Sequence, residues 1–339
     1  MSDHKHITHI VILAIRTSAH SRAIASVTTI IFINFALMIA TLSIVIPTYN
    51  RECTTLVRSL QLQAENIDGL HYEVLVADDG STDSAVKQAN RMIRDWDNCR
   101  MIELEQNIGR ACIRNYLARE AKYPYLLFLD SDVQVVVPDY LSRYLRCKGD
   151  DVVYGGVCIV PNAELAAHNL RYRYELACEP RHSVERRKVS PYQGFRTSNF
   201  LMRRDVLLSH PFDERIRHYG YEDVLFGRTL LAEGIPVKHI DNPVAVDDFE
   251  SNEAFLNKTD EGLRTLLTLA PEMRDYTNIL RCADRLHRWH VVTPLLLYYR
   301  IFGGCMRRNL TGTQPSVRLY NLYRLCNYLL LQQSKSREA

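Results

Sequence analysis

The hydrophobic positions in the first half of the chain form short apolar runs that alternate with segments of helical spacing. Runs of four to six apolar residues closed by turn residues predict buried strands, here Leu42–Ile46, Tyr72–Ala77, Met101–Leu104 and Tyr125–Leu129. Helical spacing follows at residues 54–63 and 111–121. This alternation predicts an α/β fold with a mostly parallel sheet and helices on both faces.

Each predicted strand ends in a cluster of polar or aromatic residues: Pro47–Arg51, Asp78–Asp83, Asn107–Arg110 and Asp130–Asp132. In such sheets, ligands bind beyond the carboxyl ends of the strands. Asp130 and Asp132 are two residues apart, so in an extended segment both carboxylates point the same way and can reach one divalent cation. The alternative is a turn in which an Asp caps a following helix. The pattern therefore favours a metal site for a phosphate.

The second half predicts strands at Val152–Val160, Gly194–Arg203 and Pro236–Ile240, and an apolar helix at Val224–Ala232. From residue 251 the spacing is helical throughout. We therefore divide the chain into a leader (1–40), an α/β domain (41–250, with halves at 41–135 and 150–250) and a helical region (251–339).

The leader contains an apolar run, Ala23–Ala40, that ends directly before the first predicted strand. Two interpretations are open: a hydrophobic anchor, or an upstream stretch that a translation start at Met38 would remove.

The composition indicates which binding partners and which cellular compartment to expect. A net charge of +3, without Lys/Arg runs interleaved with aromatic residues, argues against nucleic acid. Nine cysteines without a C-x-x-C pair argue against a disulfide framework or a zinc knuckle and favour a cytoplasmic protein.

The carboxyl-terminal region is basic and apolar, with nine Lys/Arg against two acids from Asp284 onward. Trp289–Phe302 and Val317–Leu331 are strongly apolar, and arginines interrupt both runs. Two interpretations are open: packing against the α/β domain, or interfacial helices on the anionic inner face of the plasma membrane, with Arg307 and Arg308 adding attraction. On the last helix, a narrow polar stripe recurs every three residues, formed by Arg318, Asn321, Arg324 and Asn327.

Five motifs in this order resemble glycosyltransferase family 2, whose fold is called GT-A: I-V-I-P-T-Y-N-R, V-A-D-D-G-S-T-D, N-I-G-R-A, L-F-L-D-S-D and G-Y-E-D. The resemblance covers Leu42 to Asp248. It implies a metal-dependent, inverting transfer of a sugar from a nucleotide-sugar donor, UDP-linked in our interpretation, to a hydroxyl of a polysaccharide or glycolipid. Mn²⁺ or Mg²⁺ is the implied cofactor, because hard cations suit carboxylate and phosphate oxygens.

The resemblance also implies roles on the donor side. Pro47 and Tyr49 lie in the first turn, where Tyr49 offers a face for the base and Asp79 a hydrogen bond to its edge. Arg110 would neutralise the diphosphate or support the base loop. The remaining implied donor and metal residues are Asp130 (ribose and metal), Asp132 (metal) and Asn199 (donor sugar). For three of these residues a structural role remains an alternative. Tyr49 could be a packed loop aromatic, Asp79 a helix cap and Arg110 a surface arginine.

On the acceptor side, the resemblance implies that Asp223 is the general base and that Glu222 orients the acceptor. A carboxylate suits the role of general base because burial can raise its pKa. Alternatively, the two acids complement the dipole of the helix that follows.

The sequence departs from the family pattern at one position. The family often has a His there as a further metal ligand, whereas this chain has Val246. Asp247 or Asp248 are candidate substitutes. His239 is a weaker candidate, because a His within a strand is more often a core residue.

Other functions fit less well. No Gly-rich loop with Arg or Lys follows the first strand, as a nucleotidyltransferase would need, and the G-x-G-x-x-G of dinucleotide enzymes is missing. The non-enzymatic alternative is an inactive GT-A protein that binds carbohydrate or acts as a scaffold.

Overall fold

The computed structural model describes residues 38–217, 219–274 and 276–338. The two interpretations of the leader concern residues that lie outside this range, apart from Met38, Ile39 and Ala40. The strands of the described residues are β1 (Thr41–Thr48), β2 (His71–Asp78), β3 (Cys99–Glu103), β4 (Tyr125–Leu129), β5 (Val133–Val135), β6 (Val152–Tyr154), β7 (Val157–Cys158), β8 (Asn199–Arg203), β9 (Val237–His239) and β10 (Val244–Val246).

Helices follow most of these strands. They are α1 (Thr54–Glu65), α2 (Ser84–Arg91), α3 (Arg110–Glu120), α4 (Tyr140–Leu145), α5 (Ala163–His168), α6 (Leu170–Cys178), α7 (Val184–Val189), α8 (Arg204–Ser209), α9 (Glu222–Ala232), α10 (Asn252–Met273), α11 (Asn278–Arg288), α12 (Val292–Thr311) and α13 (Val317–Glu338).

The large sheet has the strand order β3-β2-β1-β4-β8-β6-β9. Neighbouring strands run parallel except at β8, which is antiparallel to both β4 and β6. A small sheet with the order β5-β10-β7 lies beside it. The mostly parallel α/β architecture is therefore confirmed. The alternation of strands and helices did not predict that β8 is antiparallel.

The alternation of side chains along β1 divides the core between the two faces of the sheet. Leu42, Ile44 and Ile46 pack on one face in a cluster that includes residues of α1. Val45 points to the opposite face, where Leu117 of α3 belongs to the same cluster. Because both faces are covered, the open edge at the strand ends is where a ligand can enter.

The carboxyl-terminal helices pack on one another and on the α/β domain. Leu263 and Leu266 of α10 share a buried cluster with Leu225 of α9 and Tyr328 of α13. No helix of the described ranges combines the length and apolarity required to cross a membrane.

The polar stripe on α13 divides between the surface and the packing of the helices. Arg318 and Asn321 are exposed, but Arg324 donates to Tyr174 Oη (3.1 Å) and Asn327 donates to Asp260 Oδ1 (2.6 Å). Arg307 likewise turns inward, donating to Tyr323 Oη at 3.1 Å. These side chains therefore bind neighbouring helices, which supports the packing interpretation for α13.

Candidate active site

Two loops at the carboxyl ends of β1 and β2 are joined through Asn50. Its side-chain oxygen accepts from the backbone N–H of Thr82 (2.8 Å) and Asp83 (3.0 Å), and its own N–H donates to Ser81 Oγ (2.7 Å). The backbone of Asn50 is left-handed, with φ of 49°. Pro47 is the penultimate residue of β1, and Tyr49 stands exposed between it and Asn50.

Asp79 fixes a third loop, the one that leads into α3. Its carboxylate is buried and accepts from the N–H of Ile108 (2.7 Å) and Gly109 (3.1 Å). Burial raises the pKa of Asp79, and these two hydrogen bonds oppose the rise. In the structure, Asp79 therefore shapes the loop at Asn107–Arg110.

The adjacent Gly80 is required by space as well as by conformation. Its φ is +71°, and a Cβ there would lie 2.4 Å from the backbone carbon of Gln106. Any side chain at this position would push the two loops apart.

Five of the residues predicted from sequence meet in one cleft of about 230 Å³: Arg110, Asp130, Asp132, Glu222 and Asp223. They come from three elements that are distant in sequence, namely the start of α3, the turn after β4 and the start of α9. The remaining side chains that line the cleft include Arg171, Glu175, Arg196, Thr197, Ser198, Tyr219, Tyr221, Val246, Phe255 and Lys258.

Asp130 forms a buried ion pair with Arg114, a residue that sequence reasoning missed. Arg114 Nη2 lies 2.6 Å from Asp130 Oδ1, and the Arg114 side chain is 1% exposed. The same guanidinium donates to the carbonyl of Arg110 and lies 3.9 Å from Glu222 Oε1. Burial raises the pKa of Asp130, whereas Arg114 lowers it. Arg114 thus holds together the carboxylates of two elements of the cleft.

The turn before α9 aims Glu222 and Asp223 into the cleft. Gly220 (φ 100°) and Tyr221 (φ 67°) both have left-handed backbone, and a Cβ on Gly220 would lie 3.1 Å from Gly262 of α10. Such a conformation is unusual for a tyrosine and is typical of constrained functional turns.

Asp223 has the electrostatic surroundings of a base. Burial raises its pKa to about 6, the charge of Glu222 adds to the rise, and Arg196 opposes it. Its Oδ1 accepts from the N–H of Val224 at 2.7 Å. A carboxylate tuned towards neutrality in a cleft is a candidate for proton transfer.

Three cationic side chains line the cleft near α6 and α10, namely Arg171, Arg196 and Lys258. They are called the cationic wall below. Arg171 Nη2 lies 3.6 Å from Asp132 Oδ2 and also pairs with Glu250. Lys258 Nζ lies 3.3 Å from Glu250 Oε1. Because Lys258 and Phe255 belong to α10, the helical region contributes to the lining of the cleft.

Few features of the sequence mark the residues of this wall. Arg171 lies in a charged stretch that reads as a solvated surface, and Lys258 lies on an ordinary amphipathic helix. Only the packing of α10 against α6 brings them together.

The metal ligands predicted beyond Asp130 and Asp132 are not in the cleft. Asp247 Oδ2 lies 3.3 Å from Arg51 and Asp248 Oδ2 lies 3.4 Å from the same guanidinium, whereas Val246 lines the cleft. Asp247 and Asp248, the candidate substitutes for the His, therefore pair with Arg51 and are not among the side chains that line the cleft.

The carboxylates present still fit a cation that also binds phosphate. Within the described residues, no group of three or more His, Cys, Asp or Glu side chains could by itself hold a metal. Mg²⁺ is usually bound by one or two carboxylates together with substrate phosphates and water. Asp132, whose side chain is 28% exposed in the cleft, fits this requirement.

Two further candidates prove to be structural. Asn199 is fully buried: its amide donates to the carbonyls of Gly156 (2.7 Å) and Asn242 (2.9 Å), and its oxygen accepts from Tyr140 and Tyr144. Its amide is therefore committed to joining β8 to its neighbours, and the predicted contact with the donor sugar is corrected.

His239 is the second structural residue. It is buried, with Nδ1 3.1 Å from Arg187 and Nε2 2.9 Å from the carbonyl of Pro191, and burial lowers its pKa to about 4. Both ring nitrogens have protein partners, so His239 is not a metal ligand.

Comparison with known proteins agrees with this geometry. Residues 43–209 match the family described as "Glycosyl transferase family 2". The teichoic acid poly(glycerol phosphate) polymerase of Staphylococcus epidermidis is 32% identical over 114 residues, which is 32% of this chain and 15% of that protein. The chondroitin synthase of Pasteurella multocida is 27% identical over 240 residues, 60% of this chain and 24% of that protein.

The chain thus spans 15% and 24% of the length of these two relatives. Among solved structures, the mannosyltransferase PcManGT from Pyrobaculum calidifontis, in complex with GDP-Man and Mn²⁺, aligns over 87% of this chain and 86% of that one. The TM-score is 0.51 at 16% identity, which supports a common fold. With the motifs at the strand ends and the carboxylates of the cleft, these matches identify residues 43–209 as a glycosyltransferase family 2 domain with a GT-A fold.

Proposed function

We propose that the chain transfers a sugar from a nucleotide-sugar donor, UDP-linked in our proposal, to a hydroxyl of a polysaccharide or glycolipid, with inversion at the anomeric carbon. The observation that carries the proposal is the single cleft that joins Asp130 and Asp132 at one end of the sheet to Asp223 at the start of α9. A phosphate-binding pair and a tuned carboxylate in one small space suit a displacement at a sugar that lies between them.

On the donor side, the loops joined by Asn50 and Asp79 would receive the nucleoside. Tyr49 is 47% exposed and offers its ring to the base. Asp130, held by Arg114, would accept from the ribose hydroxyls. Arg110, whose Nη1 lies 3.5 Å from Glu222 Oε1, would turn towards the diphosphate as negative charge builds up on it.

Asp132, with Asp130, would hold Mn²⁺ or Mg²⁺ together with the phosphate oxygens. When bound, the cation stabilises the departing nucleoside diphosphate. Arg171 of the cationic wall lies beside the same carboxylate and would add positive charge to that side of the cleft.

On the acceptor side, Asp223 would take the proton from the hydroxyl as that oxygen attacks the anomeric carbon. The bond to the diphosphate breaks on the opposite face, so one displacement inverts the configuration. Glu222 would orient the acceptor, and it also raises the pKa of Asp223.

The two named relatives are a teichoic acid poly(glycerol phosphate) polymerase and a chondroitin synthase, and their names support a glycan or lipid-linked acceptor here. We also propose a cytoplasmic protein in peripheral contact with the inner face of the plasma membrane, where such acceptors are extended.

The experiment is a thermal-shift panel of nucleoside diphosphates and nucleotide sugars, with and without Mn²⁺, on the full chain and on Asp132→Ala. Ligands that bind only the folded state raise its melting temperature by mass action. We expect a shift with UDP that needs Mn²⁺ in the wild type and is lost in Asp132→Ala.

Folded protein that shifts with no nucleotide would overturn the donor proposal and favour the alternative, a carbohydrate-binding or scaffold protein with a GT-A fold. A shift with UDP that is equal in both proteins and independent of Mn²⁺ would overturn the metal assignment alone.

A further inference from the structure

Helix α12 exposes a row of large apolar side chains on the outside of the molecule. Leu297 is 59% exposed and Ile301 is 63% exposed, and Tyr298 and Phe302 stand beside them. Trp289, 66% exposed, precedes the helix. Leu297, Tyr298, Ile301, Phe302 and Trp289 together are called the α12 face below. Large apolar side chains exposed together on one helix usually mark an interaction site.

The α12 face is not required for packing of the fold. Positions 297, 298, 301 and 302 recur at steps of three and four, so they lie on one side of the helix. The opposite side carries Leu296, Met306 and Leu310, which are buried among the neighbouring helices. Selection for folding alone would leave the outer side polar.

Positive charge surrounds the α12 face. Arg285 and Arg288 are exposed on α11, and Arg300 and Arg308 are exposed on α12. Arg308 lies two turns after Ile301, on the same side of the helix. From Arg285 to Arg337 the sequence contains no Asp or Glu. A partner of this surface should therefore be apolar at the centre and negatively charged around it.

The surface of a membrane with anionic lipids meets both requirements. An amphipathic helix lies in the plane of such a surface with its apolar side among the acyl chains. Tryptophan and tyrosine favour the headgroup level, and arginines extend their charged ends towards lipid phosphates. We propose that the α12 face, with the arginines around it, docks the protein on an anionic membrane surface. This inference does not depend on the donor or the metal proposed above.

Of the two apolar runs that the sequence offers for a membrane contact, the proposal selects the one on α12. The stripe on α13 contributes Arg324 and Asn327 to internal contacts, whereas the outward side of α12 is apolar. A docked α12 would also hold the catalytic cleft at a fixed distance from the bilayer, because α10 both lines the cleft and packs on the same helical cluster.

The test is co-sedimentation of the full chain with vesicles of phosphatidylcholine alone or with about a third phosphatidylglycerol. The key variant is Leu297→Ser/Ile301→Ser. The matched control is Leu62→Ser/Leu231→Ser, which removes two apolar side chains that are 52% and 46% exposed on the α/β domain. Melting temperatures check that all variants fold.

We expect the wild type to bind the anionic vesicles, the α12 variant to lose at least about tenfold in partitioning, and the control to stay within about twofold. Arg300→Gln/Arg308→Gln should lose about fivefold per charge on anionic vesicles only. In a Trp96→Phe background, which leaves Trp289 as the reporter, vesicles should shift the emission to the blue.

Equal partitioning of the wild type and the α12 variant would overturn the proposal. So would wild-type dimers in solution that become monomers in Leu297→Ser/Ile301→Ser, because the face would then belong to a second copy of the chain.

Discussion

The loops that follow β1 and β2, which form the proposed donor side, and the cleft beside them are held together in different ways. On the donor side, side chains bind backbone: Asn50 accepts from Thr82 and Asp83, and Asp79 accepts from Ile108 and Gly109.

In the cleft itself, side chains bind side chains across long sequence distances. The ion pairs are Arg114 with Asp130, Arg171 with Asp132 and Glu250, Arg196 with Glu175, and Lys258 with Glu250.

This difference shows which contacts make a loop rigid and which contacts tune the protonation states of the cleft. Hydrogen bonds to backbone fix the shape of a loop whatever ligand is bound, which suits recognition of an invariant nucleotide. Ion pairs in a partly dry cleft set protonation states and can exchange partners when a charged substrate enters. The following substitutions test whether the two sides are separable.

The largest effect is expected for Asp223→Asn, which should separate chemistry from donor binding. The amide cannot accept the proton, so turnover should fall about 10²–10⁴-fold. Nucleotide-induced thermal shifts should be unchanged, because the donor loops do not involve Asp223. The control is Asp205→Asn, an exposed carboxylate outside the cleft. Activity near the wild-type level in Asp223→Asn would remove it as the base.

Arg114→Met should destabilise the fold by about 3–5 kcal/mol, because it leaves Asp130 partly buried without its partner. Arg114→Met/Asp130→Leu should recover most of that loss, since no unpaired charge remains. Urea unfolding measures both. The exposed pair Arg91–Glu103 is the control, and Arg91→Met should cost less than about 1 kcal/mol. A similarly small cost for Arg114→Met would show that the cleft does not depend on this pair.

Gly80→Ala should damage the donor side alone. Its Cβ would lie 2.4 Å from the Gln106 backbone, so we expect a loss of about 2 kcal/mol or more in the free energy of unfolding and a loss of nucleotide binding. Gly234→Ala is the matched control, because its φ of +67° is similar and nothing lies within 4 Å. It should cost about 1 kcal/mol. Equal losses in both variants would mean that backbone conformation, and not the contact with the loop, decides the cost.

The smallest effect is a shift of the pH profile. Asp223 must be ionised to accept a proton, so activity should fall as the pH drops through about 6, where its pKa lies. Because Glu222 raises that pKa and Arg196 lowers it, the acid limb should move to lower pH in Glu222→Gln and to higher pH in Arg196→Met. Initial rates from pH ~4.5 to ~8 measure the limb. Movement in the same direction for both variants would exclude Asp223 as the titrating group.

Much of the fold followed from the sequence because local patterns encode it. The apolar runs of β1, β2, β3 and β4 lie within two residues of their predicted bounds, and the polar clusters after them meet at one edge of the sheet. Asp130, Asp132 and Asp223 could be selected because their neighbours form short, recognisable motifs. The antiparallel direction of β8 could not be predicted from the sequence, because strand direction depends on pairing with distant partners.

Only the tertiary structure decided the electrostatics of the cleft and the outward surface of the helices. Arg114, Arg171 and Lys258 carry no local signal, since an arginine or lysine on a helix looks the same whether it meets solvent or a buried carboxylate. The same holds for Asn199 and Asp247, whose environments depend on which strand lies opposite and which way it alternates. Sequence determines which residues can form an element. Long-range packing decides which of their side chains face one another, because burial and charge pairing depend on groups far apart along the chain.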